Sequence, residues 1–216
     1  MSGFSKGWEK KDGKGGGRGF GGFLRNPQPL KPQIDQASRE IQVLISRLNQ
    51  AEARIKTRDE AIFQKVVSAV RGGDRDHASI YANELSHFRK LGSTVTGAKL
   101  ALEQVSLRLS TINDLGDVVA TLGPTIAVVK GVGIGLGTVI PNAQGELDEI
   151  SSLLSSTLVE AGTVGGTTLN FEAANSEAEQ VLEEAAAVAD QRMSEQFPQV
   201  PVASPQAENE EEGMAI

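Results

Sequence analysis

The fold is decided by residues 32–71, which read PQIDQASREIQVLISRLNQAEARIKTRDEAIFQKVVSAVR. Apolar side chains recur there at spacings of three and four residues, broken only where Arg58 falls on the seam. The seam positions are Ile34, Ala37, Ile41, Leu44, Leu48, Ala51, Ile55, Ile62 and Val66. Pro32 suits a first helical turn, and Gly72 with Gly73 suits a helix end. This pattern predicts one amphipathic helix of about 40 residues, or roughly 60 Å.

A second long amphipathic helix is predicted directly after those glycines. Asp74 or Asp76 can cap its start, and it is expected to end near Gly116. Its apolar seam comprises Tyr81, Leu85, Phe88, Val95, Ala98, Leu102, Val105, Leu109 and Ile112. Two such helices joined by a few residues must lie antiparallel, because each apolar stripe would otherwise face water along its whole length. The two helices are therefore predicted to form a hairpin.

The chain after the hairpin is predicted to form shorter helices. The apolar stretch 117–141 contains a Gly-Pro pair and alternating glycines, which favours short helices with hinges. A further helix fits residues 142–161, and the last one is expected to start at Phe171 or Ser176 and to end at Gln196. The fold class is thus all-α, with a long antiparallel helical hairpin, shorter C-terminal regulatory helices and disordered termini.

The net charge of −7 is distributed unevenly along the chain. Residues 1–115 carry 19 basic and 12 acidic side chains, whereas residues 116–216 carry 2 basic and 16 acidic ones. Such an acidic half can fold onto the basic half, or can be displaced so that the basic half meets an anionic surface. The predicted segments are a basic glycine-rich arm (1–31), the hairpin core (32–115), acidic C-terminal helices (116–196) and a tail (197–216).

The arm mixes basic and aromatic side chains within its glycine-rich sequence. Glycine and charge prevent it from forming a core of its own. Aromatic rings beside lysines suit the headgroup region of a membrane. We expect an anionic membrane surface to be bound by Lys6, Lys10, Lys11, Lys14, Arg18, Arg25, Trp8, Phe20 and Phe23. The same basic residues could also bind nucleic acid, although the sequence contains no recognised nucleic-acid-binding motif.

Catalytic, nucleotide and metal sites are not predicted. The glycine run of residues 131–137 follows no predicted strand, as a phosphate-binding loop would require. His77 and His87 lack further ligands at helical spacing, so we expect both to be exposed on a helix. The stretch 118–140 reaches membrane-spanning length, but its glycines, proline and lysine favour a linker between helices. We expect a non-enzymatic protein without cofactor or small-molecule substrate.

The cellular compartment is predicted from two features. The chain has no cysteine, which fits an intracellular protein. Its N-terminal residues are glycine-rich and basic, without the apolar core of a secretory signal. We therefore expect a cytoplasmic protein.

The order of these segments resembles the ESCRT-III (Snf7-like) family over residues 25 to about 195. The approach to the first helix, Phe23-Leu24-Arg25-Asn26-Pro27 followed by Pro29-Leu30-Lys31, is similar to that of archaeal CdvB-type members. The resemblance implies a CdvB-type paralogue that forms filaments and remodels membranes during archaeal cell division. It also implies polymerisation with itself or with paralogues, on the inner face of the cell membrane at the division site.

The tail begins with Phe197-Pro198-Gln199-Val200-Pro201, which resembles the type 2 MIT-interacting motif of that family. The resemblance implies binding to the MIT domain of a CdvC-like AAA-type disassembly ATPase. An extended segment stiffened by Pro198 and Pro201 loses little entropy when it docks between helices, with Phe197 and Val200 as apolar anchors. The heptads alone would also permit a soluble coiled-coil adaptor or scaffold with no membrane role.

Overall fold

The computed structural model describes residues 30–137, 139–140, 142–165 and 171–198. These residues form five helices: α1 (Leu30–Arg71), α2 (Arg75–Ser110), α3 (Leu115–Leu136), α4 (Ala143–Gly165) and α5 (Phe171–Gln196). Helices α1 and α2 lie side by side as an antiparallel hairpin, so the predicted all-α fold and hairpin are confirmed. The predicted disordered termini concern residues 1–29 and 199–216, which lie outside the described residues.

The hairpin is held together along the predicted seam, with one correction. Ile41, Leu44 and Leu48 of α1 are at most 1% exposed, as are several residues of the α2 seam. The prediction that Arg58 occupies the seam is wrong, because Asp59 is the buried residue, at 1% exposure, and Arg58 lies outside. A buried carboxylate is tolerated at this position because Arg89 of α2 binds it.

The connection between α1 and α2 follows from its glycines and its first aspartate. Gly73 adopts a φ of +72°, which a side chain would disfavour, and it turns the chain out of α1. Asp74 then caps α2 by accepting the backbone N–H of His77 at 3.1 Å. Of the two predicted caps, Asp74 is therefore the correct one.

Helix α3 differs from the prediction, because residues 115–136 form one helix that continues through Pro124. The glycines serve close packing instead of hinges. A β-carbon on Gly123 would lie 3.3 Å from Ala174 of α5, and one on Gly131 would lie 2.5 Å from Leu182 of α5. These contacts depend on the tertiary structure, and they outweigh the weak local preference of glycine for a break.

The three later helices fold back onto one half of the hairpin. Helix α4 lies along α1, where Gln33 donates to Glu160 at 3.1 Å and accepts from Thr157 at 2.7 Å. Helix α5 lies along α2 and α3. A separate small core at the other end of the hairpin consists of α1 and α2 residues around Ile62 and Leu85. We call that end, residues 62–88, the hairpin tip.

Helix α3 contains the most apolar segment of the bundle. By length and composition, Asp117–Leu136 would suffice to cross a membrane. In the bundle this helix contacts α2, α4 and α5, and Val118, Leu122 and Val129 are fully buried in the main core. Burial in the bundle therefore accounts for the apolar side chains at these positions.

Candidate interaction site on the helical hairpin

The surface on which α5 rests is built from small residues. Gly92 and Gly97 of α2 face α5, where a β-carbon on Gly97 would lie 3.6 Å from Cβ of Ala189. Ala185 and Ala189 of α5 are at most 3% exposed. The two helices therefore approach closely, but each small side chain contributes little buried apolar area.

Charged pairs also join the acidic half to the hairpin. Arg47 of α1 binds Glu146 of α4, and Arg108 of α2 binds Glu177 of α5. These four side chains are 34–55% exposed, so the pairs contribute little to stability and are screened by salt. Among the described residues, the acidic half is held mainly by apolar packing, with charge as a secondary contribution.

The C-terminal end of α5 is fixed by a cluster centred on Arg89. The guanidinium donates to Asp59 through Nε at 2.8 Å and through a terminal nitrogen at 3.3 Å. Its Cζ also lies 5.5 Å from the ring centroid of Phe197, which is 8% exposed. Arg89 thus joins α1, α2 and the end of α5 through one side chain.

A second polar cluster lies within the hairpin. Glu52 of α1 accepts hydrogen bonds from Thr96 at 3.0 Å and from Lys99, both on α2. Thr96 is 1% exposed and Lys99 is 9% exposed. The cluster satisfies three polar groups at one level of the hairpin, so a shift of α1 against α2 would leave them unpaired.

The hairpin tip carries aromatic rings covered by cations. Arg58 lies 5.6 Å from the ring centroid of Phe88, and Lys65 lies 5.6 Å from that of Tyr81. His77 is exposed and contacts Asp74 through Nδ1 at 2.7 Å. The backbone hydrogen bond from His77, together with its ring, lowers the pKa of the Asp74 carboxyl below 3.8.

The predicted membrane-binding residues lie outside the described part of the chain. They are Lys6, Lys10, Lys11, Lys14, Arg18, Arg25, Trp8, Phe20 and Phe23. Of the predicted ATPase-binding residues, Val200 and Pro201 also lie outside it. Phe197 is buried against Arg89, whereas Pro198 is exposed. Phe197, one of the two predicted apolar anchors, therefore already packs against another part of the chain.

Two features of this site were not predicted. The Asp59–Arg89 pair was not predicted. The spacing of Asp59, four residues after Ile55 and three before Ile62, does indicate that this carboxylate lies on the buried stripe of α1. The burial of Phe197 depends on the position of α5, which spacing alone does not reveal. No group of three His, Asp or Glu side chains that could hold a metal ion occurs among the described residues.

Comparison with known proteins identifies the family. Cell division protein B1 of Sulfolobus acidocaldarius is 38% identical over 179 residues, which are 83% of this chain and 84% of that protein. Cell division protein B of the same organism is 31% identical over 172 residues, which are 80% of this chain and 66% of that protein. No protein-family model and no solved structure matches the chain. At these identities and lengths, the chain belongs to the ESCRT-III-like family of archaeal cell division proteins B and B1.

Proposed function

We propose that this chain is a filament subunit that associates with the membrane and remodels it during archaeal cell division. Its family is structural and non-enzymatic, and its relatives are named as cell division proteins. The proposed partners are further copies of the chain and its paralogues. The proposed location is the cytoplasmic face of the cell membrane at the division site.

The observation that carries this proposal is the difference between two interfaces of α2. Toward α1, α2 buries large side chains such as Leu102, each of which stabilises the hairpin by about 1.5–3 kcal/mol. At the interface with α5, the buried residues that α5 contributes are mainly alanines, at about 0.8 kcal/mol per methyl group. Helix α5 can thus detach while the hairpin stays intact, which leaves a rigid rod free to contact neighbouring copies.

Membrane contact is assigned to the arm. Its six basic residues before α1 can each add about 1 kcal/mol of attraction to an anionic surface. Trp8, Phe20 and Phe23 would insert at headgroup depth. The test is pelleting with vesicles of anionic lipid over a range of salt concentrations, where binding should fall as salt rises.

Deletion variants separate the arm from the rest of the chain. Removal of residues 2–25 should abolish pelleting with anionic vesicles. Removal of residues 202–216, which takes out four glutamates, is the control and should leave pelleting intact or increase it. Undiminished pelleting without the arm would exclude the arm as the membrane contact.

Binding of a disassembly ATPase is assigned to Phe197, Pro198, Val200 and Pro201. Because Phe197 is buried against Arg89, it must leave that position before an MIT domain can use it. Val200→Ala should weaken binding to the MIT domain without disturbing the Arg89 cluster. Glu208→Ala is a control in the same tail. An affinity equal to that of the parent chain for Val200→Ala would remove the motif from the proposal.

A further inference from the structure

Helices α2 and α5 form an open apolar groove on the side of α2 that faces away from α1. Its volume is about 280 Å³, and its lining includes Leu100, Leu107 and Val188. Leu107, near the C-terminal end of α2, is 67% exposed. The walls carry two carboxylates, Glu103 on α2 and Glu184 on α5. Neither carboxylate has an ion-pair partner among the described residues.

An apolar floor between acidic walls fits an apolar segment flanked by positive charge. The arm contains such a segment at residues 18–25, where Arg18 and Arg25 bracket Phe20 and Phe23. The tail fits the groove poorly, because residues 199–216 carry four glutamates and no basic residue. We propose that residues 18–25 of the arm bind in this groove of the same chain, with their two rings on the apolar floor.

The arm begins close enough to reach the groove. The antiparallel hairpin brings Leu30, the first residue of α1, into the same core as Leu109 near the end of α2. Leu100 lies about 14 Å further along α2, at 1.5 Å per residue. Phe23 precedes Leu30 by seven residues, which span up to about 24 Å when extended. Ten residues separate Phe20 from Leu30 and span up to about 34 Å when extended. This length allows the arm to pass around α2, a helix about 10–12 Å across, to the Leu107 end of the groove.

The groove exists only while α5 lies on α2, since each helix supplies one wall. Detachment of α5 would therefore release the arm at the same time as it uncovers α2. This inference does not depend on the proposed membrane role, because arm binding in the groove is a property of the chain in solution. It adds that the arm is bound to the helical bundle as long as α5 lies on α2.

The test moves the chain's single tryptophan into the proposed contact, where its indole reports the environment. In full-length chains, Trp8→Phe is combined with Phe20→Trp or with Phe23→Trp, so that the only indole sits in the proposed contact. Fluorescence emission should be shifted to the blue relative to the same chain in urea. Adding Leu107→Glu, which places a carboxylate on the apolar floor, should shift the emission back to the red. Because Leu107 is 67% exposed, this change leaves the helical core intact, as far-ultraviolet circular dichroism can verify.

Ile80→Glu is the matched control, because Ile80 is similarly exposed at 60% but lies at the hairpin tip. It should leave the emission unchanged. Glu184→Lys should also shift the emission to the red, since it reverses the charge of one wall. The inference is overturned if both indoles emit as in urea, or if Leu107→Glu shifts neither. A blue shift that disappears on tenfold dilution would also overturn it, because the arm would then bind a second copy.

Discussion

Arg89→Met is the perturbation for which the structure sets the clearest magnitude. Methionine keeps most of the apolar stem but removes both donors to Asp59, a carboxylate that is 1% exposed. Removing one partner of a buried pair leaves an uncompensated charge, which costs about 3–5 kcal/mol. Urea unfolding followed by circular dichroism should therefore show the free energy of unfolding lowered by about that amount. Arg58→Met, which removes an exposed neighbouring cation, is the control.

The double variant Asp59→Leu/Arg89→Met distinguishes the loss of pairing from the loss of packing. It removes both charges and completes the apolar seam of α1, so most of the lost stability should return. A loss below about 1 kcal/mol for Arg89→Met alone, the value of an exposed pair, would refute the reasoning. So would a double variant as unstable as the single one.

Two further predictions concern the helix interfaces and the hairpin loop. Gly97→Ala should raise the free energy of unfolding by up to about 1 kcal/mol, because alanine has the higher helix propensity and its methyl group fits beside Ala189. Gly97→Leu should instead push α5 away from α2, so hydrogen exchange of the α5 amides should become faster. The lowered pKa of Asp74 means that its stabilisation is fully present above pH 3.8 and is lost as pH falls through the lower folded value. The free energy of unfolding, measured as pH is lowered below 3.8, should therefore fall less in Asp74→Ala than in the parent chain, whereas Asp76→Ala should behave like the parent. Equal pH profiles for both variants would contradict this.

The hairpin could be predicted from the sequence because its determinants are local. Heptad spacing sets the buried stripe, and Gly73 with Asp74 sets the turn between the helices. The one error on the seam, Arg58 in place of Asp59, arose because both residues fit the three- and four-residue spacing between Ile55 and Ile62. Its compensation comes from Arg89, 30 residues further along the chain.

The later helices could be predicted only in part, because their boundaries depend on tertiary packing. Glycine and Pro124 favour a break locally, but Gly123 and Gly131 allow α3 to approach α5 closely, so α3 forms as one helix. Ser176 is a good helix cap by sequence, yet it lies inside α5, which begins at Phe171. The family resemblance was confirmed by comparison, whereas the arm residues remain predictions.

The central claim is that α5 restrains a hairpin that otherwise polymerises on membranes. Electron microscopy with anionic vesicles, of the full-length chain beside a chain ending at Gly165, tests this most directly. The shorter chain should form extended filaments on the vesicles at concentrations where the full-length chain forms none. If both chains instead remain the same small closed oligomer, with no change in vesicle binding, the chain is a soluble scaffold and the account is contradicted.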